Sequence, residues 1–266
     1  MIRASLGLLL SLVLVLGGCQ SQSEDIEPGR SAERTELRIG TDATYPPFET
    51  VDPATGRPHG FDIELVTEIC RRNGWRPEFI VTPFDAIIPG LMADKYDLVV
   101  SAMTITPKRA AVVAFSEPYY LAGQSIAVPL DQEAIGSIDD LVGKRVGVQL
   151  GTTGELMAKQ VDGLQVFSYD NIGAAFIDMD NGNLDAVLND LPTTMAYITR
   201  HATAKTVGGI LSTEHYGMAV RPDDTLLLGQ VNTALRTIRT DGSYDSLHVK
   251  WFGVLPVPAS VDSTPQ

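Results

Sequence analysis

Two successive series of short apolar runs, alternating with helical patterns, constrain the fold of this chain more than any other feature. The first series has strand-like runs at 37–41, 79–81 and 98–102 and helical patterns at 61–73, 86–93 and 108–114. The second has runs at 125–129, 146–149, 166–169 and 186–189 and helical patterns at 155–161, 173–181 and 193–201. This alternation is typical of parallel or mixed sheets flanked by helices. The sequence therefore predicts an α/β protein with two lobes.

The end of the second series indicates how the lobes are connected. A strand-like run at 218–220 is predicted to return to the first lobe, followed by helices at 225–239 and 244–251. We expect residues 37–122 plus 220–254 to form lobe 1 and residues 123–219 to form lobe 2. The two linking segments, near 121–129 and 216–222, would then form a hinge, with a ligand site in the cleft beyond the carboxyl ends of the strands.

The N-terminus has the features of a signal peptide, predicted at 1–18. Arg3 precedes an apolar run at 6–16, which is shorter than the roughly 20 residues of a membrane-spanning helix. Residues 16–19 resemble the lipobox of bacterial lipoproteins, which implies a lipidated Cys19 and a protein that is anchored outside the cytoplasm, in a periplasm or at a cell surface. The alternative is a generic secretory signal in which Cys19 is incidental.

Composition predicts flexible ends and excludes one class of partner. Residues 19–36 are expected to be a flexible tether and residues 255–266 a disordered tail, because both segments are polar or rich in proline and serine. The net charge of −13 argues against a nucleic-acid partner. Cys70 lies on the apolar side of a predicted helix, which favours a buried and unreactive thiol. The histidine spacing predicts neither a metal site nor a cofactor.

Four stretches of the chain resemble one protein family closely. They are Gly40-Thr41-Asp42-Ala43-Thr44-Tyr45-Pro46-Pro47-Phe48-Glu49, Gly60-Phe61-Asp62-Ile63-Glu64-Leu65, Ser101-Ala102-Met103-Thr104-Ile105-Thr106 ending at Arg109, and Asp241-Gly242-Ser243-Tyr244. They resemble the amino-acid-binding proteins of bacterial ABC importers, family 3 of the extracellular solute-binding proteins. The resemblance implies a type II periplasmic-binding-protein fold with a two-strand hinge, a free L-amino acid as ligand, permease subunits as partners and no catalysis. We expect a monomer.

The resemblance also points to residues that would hold the ligand's carboxylate. Arg109 is the first, because a guanidinium donates two parallel hydrogen bonds to a carboxylate. Without the Thr-Ile-Thr stretch before it, a solvated helix residue would be the favoured interpretation. The remaining predicted donors lie in the stretch before Arg109 and in a turn between a strand and a helix, whose free amides favour anions: Ala102, Met103, Thr104, Gln149, Thr152 and Thr153. A phosphate loop is the rival interpretation of that turn, but the turn lacks the required lysine.

Other residues are expected to contact the ligand's ammonium and side chain. Asp190 follows an apolar run, and the family uses this position to accept from the α-ammonium. Asn189 could contact the side chain or cap the next helix. Tyr45 and Phe84 match aromatic positions that flank the side chain, though either could be core. Asp42 resembles the acidic residue that reads the far end of a polar side chain.

These residues favour a basic ligand such as arginine, lysine, ornithine or histidine, with glutamine next. Two alternatives remain at this stage. Some proteins of this fold are dehydratases that act on prephenate or arogenate, and a cleft carboxylate could serve as their general acid. Others are sensory modules, and a stand-alone amino-acid sensor that acts through a partner is also possible.

Overall fold

The computed structural model describes residues 34–256. The predicted signal peptide, Cys19, the tether up to residue 33 and the tail from residue 257 lie outside the described residues. The helices are α1 (Phe61–Asn73), α2 (Phe84–Met92), α3 (Pro107–Ala110), α4 (Thr153–Ala158), α5 (Ile172–Asp180), α6 (Leu191–His201), α7 (Thr225–Thr240) and α8 (Ser243–Phe252). The strands are β1 (Glu36–Thr41), β2 (Thr44–Tyr45), β3 (Glu49–Val51), β4 (Pro58–His59), β5 (Arg76–Val81), β6 (Leu98–Val99), β7 (Ala114–Phe115), β8 (Tyr120–Ala122), β9 (Gln124–Pro129), β10 (Arg145–Gln149), β11 (Gln165–Tyr169), β12 (Ala186–Asp190), β13 (Ala204–Val207), β14 (Glu214–Tyr216) and β15 (Ala219–Val220).

The first sheet has five strands in the order β5-β1-β6-β15-β7. Strands β5 and β6 run parallel to β1, whereas β15 pairs antiparallel with both β6 and β7. Leu37 and Ile39 on β1 are fully buried, and α1 and α2 pack against this sheet. The strand that was predicted at 218–220 therefore does return to the first sheet from the far part of the chain.

The second sheet also has five strands, in the order β11-β10-β12-β9-β13. Strand β10 runs parallel to β11 and β12, and β9 pairs antiparallel with β12 and β13. Helices α4 and α5 pack against β10 and β12. The predicted α/β fold with two sheet-bearing lobes is confirmed.

The chain passes between the two sheets at a pair of short strands. Strand β8 pairs antiparallel with β14, with Tyr120 opposite Tyr216, and β9 and β15 follow them on the way into the two sheets. The predicted linking segments overlap this pair but extend into the sheets on the far side. Hinge motion, and lobe boundaries at residues 122 and 219, stay predictions.

Helix α1 illustrates how the local sequence sets an element. Phe61, Leu65, Ile69 and Cys70 recur at helical spacing and are all fully buried, and the helix ends at Gly74, which adopts φ 73°. Glycine enters this left-handed conformation without the steric cost of a Cβ atom. Cys70 is a free, buried thiol, and burial raises its pKa to about 12, as expected for an unreactive cysteine.

Two features differ from the sequence prediction. The helix predicted at 108–114 is wrong beyond Ala110, because α3 is a single turn and Ala114 begins β7. The β-branched Val112 and Val113 have a lower helix propensity; they lie in a turn and a bend, and Val113 is buried in a core cluster. The three-stranded sheet of order β2-β3-β4 was not predicted. Within residues 34–256, no helix is both long and apolar enough to span a bilayer.

Candidate functional site

A cavity lies where strands of both sheets end. Asp42 directly follows β1, Gln149 ends β10, and Asp190 ends β12. Because parallel strands present their carboxyl ends at the same edge of a sheet, this is the edge where α/β proteins usually bind ligands. The cavity is lined by Asp42, Tyr45, Glu49, Phe84, Ser101, Ala102, Thr104, Arg109, Gln149, Thr152, Thr153 and Asp190.

All the predicted ligand-binding residues except Met103 and Asn189 line this cavity. Met103 is instead fully buried in a core cluster with Ile87, Leu91 and Tyr96, so its side chain belongs to the packing of the first lobe. Asn189 is buried, accepts a hydrogen bond from the Tyr45 hydroxyl at 2.6 Å, and does not cap α6. The N-cap residue of α6 is Asp190. Lining a cavity does not establish binding, so the roles of these residues stay predictions.

Arg109 presents a guanidinium with spare donors to the cavity. Its Nη1 donates to the Thr104 carbonyl at 2.7 Å and its Nη2 to the Gly151 carbonyl at 3.1 Å. The guanidinium also lies 5.2 Å from the centroid of the Phe84 ring. No carboxylate between residues 34 and 256 forms an ion pair with Arg109. Burial lowers the pKa of Arg109, and the negative charge of Glu214 acts in the opposite direction. A guanidinium has five N–H donors, so some remain for a ligand carboxylate.

Asp190 is a buried carboxylate surrounded by neutral donors. It accepts from the Tyr45 hydroxyl at 2.8 Å, from the Tyr216 hydroxyl at 2.5 Å and from the Gln124 amide. Burial raises the pKa of Asp190 to about 7, and the nearby Glu214 carboxylate acts in the same direction. An ammonium group placed beside Asp190 would offset both effects, because a buried charge needs a charged partner.

Glu214, on β14, is a buried acid that the sequence did not reveal. It accepts from Thr104 Oγ1 at 2.6 Å, Thr153 Oγ1 at 2.8 Å, Gln124 Nε2 at 3.1 Å and Ser212 Oγ at 3.0 Å. A hydroxyl has one proton to donate. In this conformation, therefore, the two threonines expected to serve a ligand carboxylate donate their protons to Glu214 instead.

Asp42 supplies a second buried carboxylate to the cavity lining. It accepts from Thr44 Oγ1 at 2.5 Å and from Gln149 Nε2 at 2.9 Å. Burial raises the pKa of Asp42, and these two hydrogen bonds oppose that rise. Among the described residues Asp42 has no cationic partner. An amide and a carboxylate side by side can together receive and orient a polar group that carries several N–H donors.

Glu49 and Ser101 also line the cavity, although no role was predicted for them. Both belong to the motif stretches quoted above, so their positions were marked but their contacts were not. The Ser101 hydroxyl donates to Glu49 Oε1 at 2.8 Å and accepts from the backbone N–H of Asp42 at 3.0 Å. Glu49 therefore orients the hydroxyl of Ser101, which also lines the cavity.

Residues from both lobes meet across the cavity. Tyr45 contacts Asn189 and Asp190, and Gln149 contacts Asp42. In the void that remains, the centre of a water-sized sphere can move within about 10 Å³, so the void has room for about one water molecule. Within residues 34–256, no group of three or more histidines, cysteines or acids is arranged to hold a metal ion.

Comparisons with known proteins agree with this arrangement. The model of a family described as bacterial extracellular solute-binding proteins, family 3, matches residues 37–254. The ABC transporter arginine-binding protein 1 of Escherichia coli K12 is 36% identical over 223 residues, which cover 82% of this chain and 90% of the relative.

Two solved structures are also similar. An ancestral arginine-binding protein bound to arginine has 43% identity and a TM-score of 0.81, and the match covers 83% of this chain and 100% of that one. An ancestral amino-acid-binding protein, described as a precursor of cyclohexadienyl dehydratase, has 41% identity and a TM-score of 0.77, and the match covers 82% and 95% of the two chains.

Proposed function

We propose that this chain, which belongs to family 3 of the bacterial extracellular solute-binding proteins, captures a basic L-amino acid for an ABC importer, with L-arginine as the first candidate. The resemblance read from the motifs is confirmed, and so is the type II binding-protein fold that it implies. The family membership places the protein outside the cytoplasm. The identity of the ligand is the step that we propose.

One observation carries this proposal: a cation and an anion line the same cavity, and neither is held in an ion pair within residues 34–256. Arg109 forms no ion pair within residues 34–256, and Asp190 accepts only from neutral donors. A free amino acid carries a carboxylate and an ammonium on the same carbon, so it can pair with both groups at once. Pairing is what makes the removal of both ligand charges from water favourable.

The charge of the lining favours a ligand with a basic side chain. The carboxylates of Asp42 and Asp190 face the cavity, and Arg109 is the single cation among the lining residues. A basic amino acid adds one positive charge to its zwitterion, whereas an acidic one adds a negative charge. Asp42 with Gln149 offers a carboxylate and an amide to a guanidinium. Relatives named for arginine, lysine/arginine/ornithine and histidine binding support the same class.

The size of the void supports capture by closure of the two lobes. Room for about one water molecule is too little for an amino acid, so the lobes have to part before the ligand enters. Contacts such as Tyr45 to Asn189 and Gln149 to Asp42 would break on opening and form again around the ligand. The β8–β14 pair is where we place the hinge.

The chemistry of the lining supports binding without catalysis. Arg109 and Asp190 match the two charges of a zwitterion, and no histidine lines the cavity to act as a general base. The named relatives are binding proteins, and the neighbour linked to a dehydratase is itself an amino-acid-binding protein. Incubation with prephenate should yield no phenylpyruvate; formation of that product would support the dehydratase instead.

The test of the proposed ligand is isothermal titration of the mature protein with the basic amino acids and glutamine. L-Arginine should bind with micromolar or tighter affinity. Two analogues dissect the zwitterion: agmatine lacks the carboxylate, and 5-guanidinopentanoic acid lacks the α-ammonium. Each should bind at least about a hundredfold more weakly, because each leaves one buried charge unpaired. Binding of agmatine as tight as that of arginine would remove the basis of the proposal.

A lipid anchor at Cys19 is a separate proposal, supported by the lipobox resemblance of residues 16–19. Mass spectrometry of the membrane-associated protein should find diacylglycerol on this cysteine. A Cys19→Ser variant should lose both the modification and the association with membranes. Release of wild-type protein in unmodified form would favour an ordinary secretory signal.

A further inference from the structure

Two carboxyl groups lie beneath the cavity with no cation beside them. Glu49 on β3 and Asp62 on α1 are both fully buried, and neither forms an ion pair within the described range 34–256. The ionisable groups that act on them are Asp42 and the three tyrosines Tyr119, Tyr120 and Tyr244. All of these side chains are acids, so none offers a positive charge. Two ionised carboxylates in contact would repel each other strongly in such surroundings.

The hydrogen bonds around the pair show where a single proton belongs. Asp62 Oδ2 accepts twice, from the Ala102 N–H at 2.7 Å and from the Tyr119 hydroxyl at 2.6 Å. Glu49 Oε1 accepts once, from Ser101. The remaining oxygens, Glu49 Oε2 and Asp62 Oδ1, are buried and receive no hydrogen bond in the described part of the chain, and each carboxyl group acts on the pKa of the other. A hydrogen bond between these two oxygens would require a proton, and Glu49 has fewer donors to stabilise its ionised form.

The pair connects directly to the cavity through two neighbouring residues. Asp62 holds the N–H of Ala102, which adopts φ 42°, a left-handed conformation that costs a non-glycine residue free energy. Glu49 takes the only hydroxyl proton of Ser101. Ser101 also accepts from the Asp42 N–H, so the serine oxygen can offer only a remaining lone pair to the cavity.

We propose that Glu49 and Asp62 form one unit that shares a single proton, and that this unit positions Ser101 and Ala102 so that Ser101 faces the ligand as an acceptor only. An acceptor-only serine selects a side chain that carries N–H donors over one that presents a carbonyl or carboxylate oxygen. The part of this inference that concerns the ligand rests on the proposed function. The shared proton does not, because it belongs to the ligand-free protein.

The decisive measurement is the pH dependence of unfolding without ligand. Burial raises the pKa of Glu49 well above its usual value, and the Asp62 carboxylate adds to the rise. The folded protein therefore keeps a proton that the unfolded chain releases above pH about 4.5. The free energy of unfolding should fall as the pH rises above that value. Glu49→Gln has an amide in place of the protonated acid and cannot titrate. The unfolding constant of the wild type relative to Glu49→Gln should rise about tenfold per pH unit between pH 5 and 7.

The exposed Glu133→Gln serves as the matched control for removal of one acid. Infrared difference spectra between wild type and Glu49→Gln at pH 7 should also show the carbonyl stretch of a protonated carboxyl group in the wild type alone. The proposal of a shared proton would be overturned if the ratio of the two unfolding constants did not change with pH, or if that band were absent.

A double-mutant cycle tests whether the two residues act as a unit. Asp62→Asn alone still gives Glu49 a partner, because its amide can donate to the Glu49 carboxylate. The double variant Glu49→Gln with Asp62→Asn places two NH₂ groups against each other. The loss of stability in the double variant should exceed the sum of the single losses, because each single variant keeps a hydrogen bond between the two side chains and only the double variant loses it. Additive losses would contradict the unit.

Titrations with L-arginine and L-glutamine test the positioning of Ser101. Glu49→Ala frees the serine proton to donate to an amide oxygen, so the preference for arginine over glutamine should fall about tenfold. Glu49→Gln retains an oxygen that accepts from Ser101 and should restore most of that preference. An equal fall in both variants would refute the positioning role. If the wild type binds neither amino acid, the proposed ligand fails while the unfolding measurement still decides on the proton.

Discussion

Asp190 and Asp62 are both buried carboxylates that accept from tyrosine hydroxyls, but their charges are balanced in different ways. Asp190 accepts from Tyr45 and Tyr216 and borders the cavity that Arg109 also lines. Asp62 accepts from Tyr119 and the Ala102 N–H, and its proposed partner is a second carboxyl group, Glu49, with which it shares a proton. At Asp190 a bound ligand can supply the missing positive charge. At Asp62 a proton within the protein supplies it.

The difference teaches how a protein separates a binding site from its support. A carboxylate that awaits a ligand has to be accessible from a cavity and tolerates a poor electrostatic environment when the ligand is absent. A carboxylate that supports the site has to be satisfied at all times, because an unmet buried charge would weaken the fold. We therefore expect Asp190 to respond to ligand and the Glu49–Asp62 pair not to respond, whereas the ligand-free protein should lose stability through both as the pH rises.

The largest expected effect is the loss of either charged partner of the ligand. Arg109→Ala or Asp190→Ala should each weaken the binding of L-arginine at least about a hundredfold, since breaking a buried ion pair costs about 3–5 kcal/mol. Isothermal titration measures the loss. Arg236→Ala, at an exposed arginine paired with Glu117, is the matched control and should bind as the wild type does. Unchanged affinity in both site variants would remove Arg109 and Asp190 from the binding site.

The next effect sharpens the comparison through pH. Burial and the Glu214 charge raise the pKa of ligand-free Asp190 to about 7, and an ammonium binds only the ionised form. The affinity for arginine should therefore fall about tenfold for each pH unit below 7, as titrations between pH 5 and 8 would measure. An affinity that stays constant across this range would place the ammonium elsewhere.

Stability in the absence of ligand should respond to Asp190 in the opposite direction. The folded carboxyl holds its proton up to about pH 7, while the unfolded one releases it near 3.8. Its contribution to stability is therefore complete below pH 4 and is lost as the pH rises to 7, by about 1.4 kcal/mol per unit. Asp190→Asn should abolish this part of the pH dependence, as measured by unfolding in denaturant. Saturating arginine should also remove the high-pH loss in the wild type, whereas the loss due to Glu49 should persist.

A fourth test concerns the acid that is proposed to read the ligand side chain. Asp42→Asn should weaken arginine binding about tenfold, because a hydrogen bond to a charged group contributes about 1.5–3 kcal/mol. The affinity for glutamine should fall less, so the ratio of the arginine affinity to the glutamine affinity should decrease. Asp85→Asn is the matched control: Asp85 is exposed, its charge acts on Asp42, and it does not line the cavity. An equal fall for both ligands would show that Asp42 does not discriminate between them.

Periodicity in the sequence predicted the long elements well and the short ones poorly. The boundaries of α1 and β10 follow from apolar spacing and from the glycine that ends α1. Strands β2, β3 and β4 have only two or three residues each, too few to show an alternating pattern. Their existence depends on pairing with one another and on packing against the first lobe, which local sequence does not encode.

The candidate site divides in the same way. Arg109, Asp190 and Asp42 could be named because each lies in a motif or at the end of an apolar run. Glu214 could not, because its partner Thr104 lies 110 residues away along the chain and the two meet only through the strands that join the lobes. Glu49 lay inside a motif, but its partnership with Asp62 appears only once α1 and β3 are placed side by side.

The smallest expected effect tests the contact between the lobes beside Asp190. The Tyr45 hydroxyl lies 2.6 Å from Asn189 Oδ1 and 2.8 Å from Asp190 Oδ2, but it has one proton for these two acceptors. Tyr45→Phe should therefore cost about 1 kcal/mol and weaken arginine binding about fivefold. Tyr197→Phe removes a hydroxyl that bonds Asp180 outside the cavity and should leave the affinity unchanged. A larger loss than for Asp42→Asn would mean that Asp190 depends on Tyr45 far more than on the ligand, and the contrast with Asp62 would then disappear.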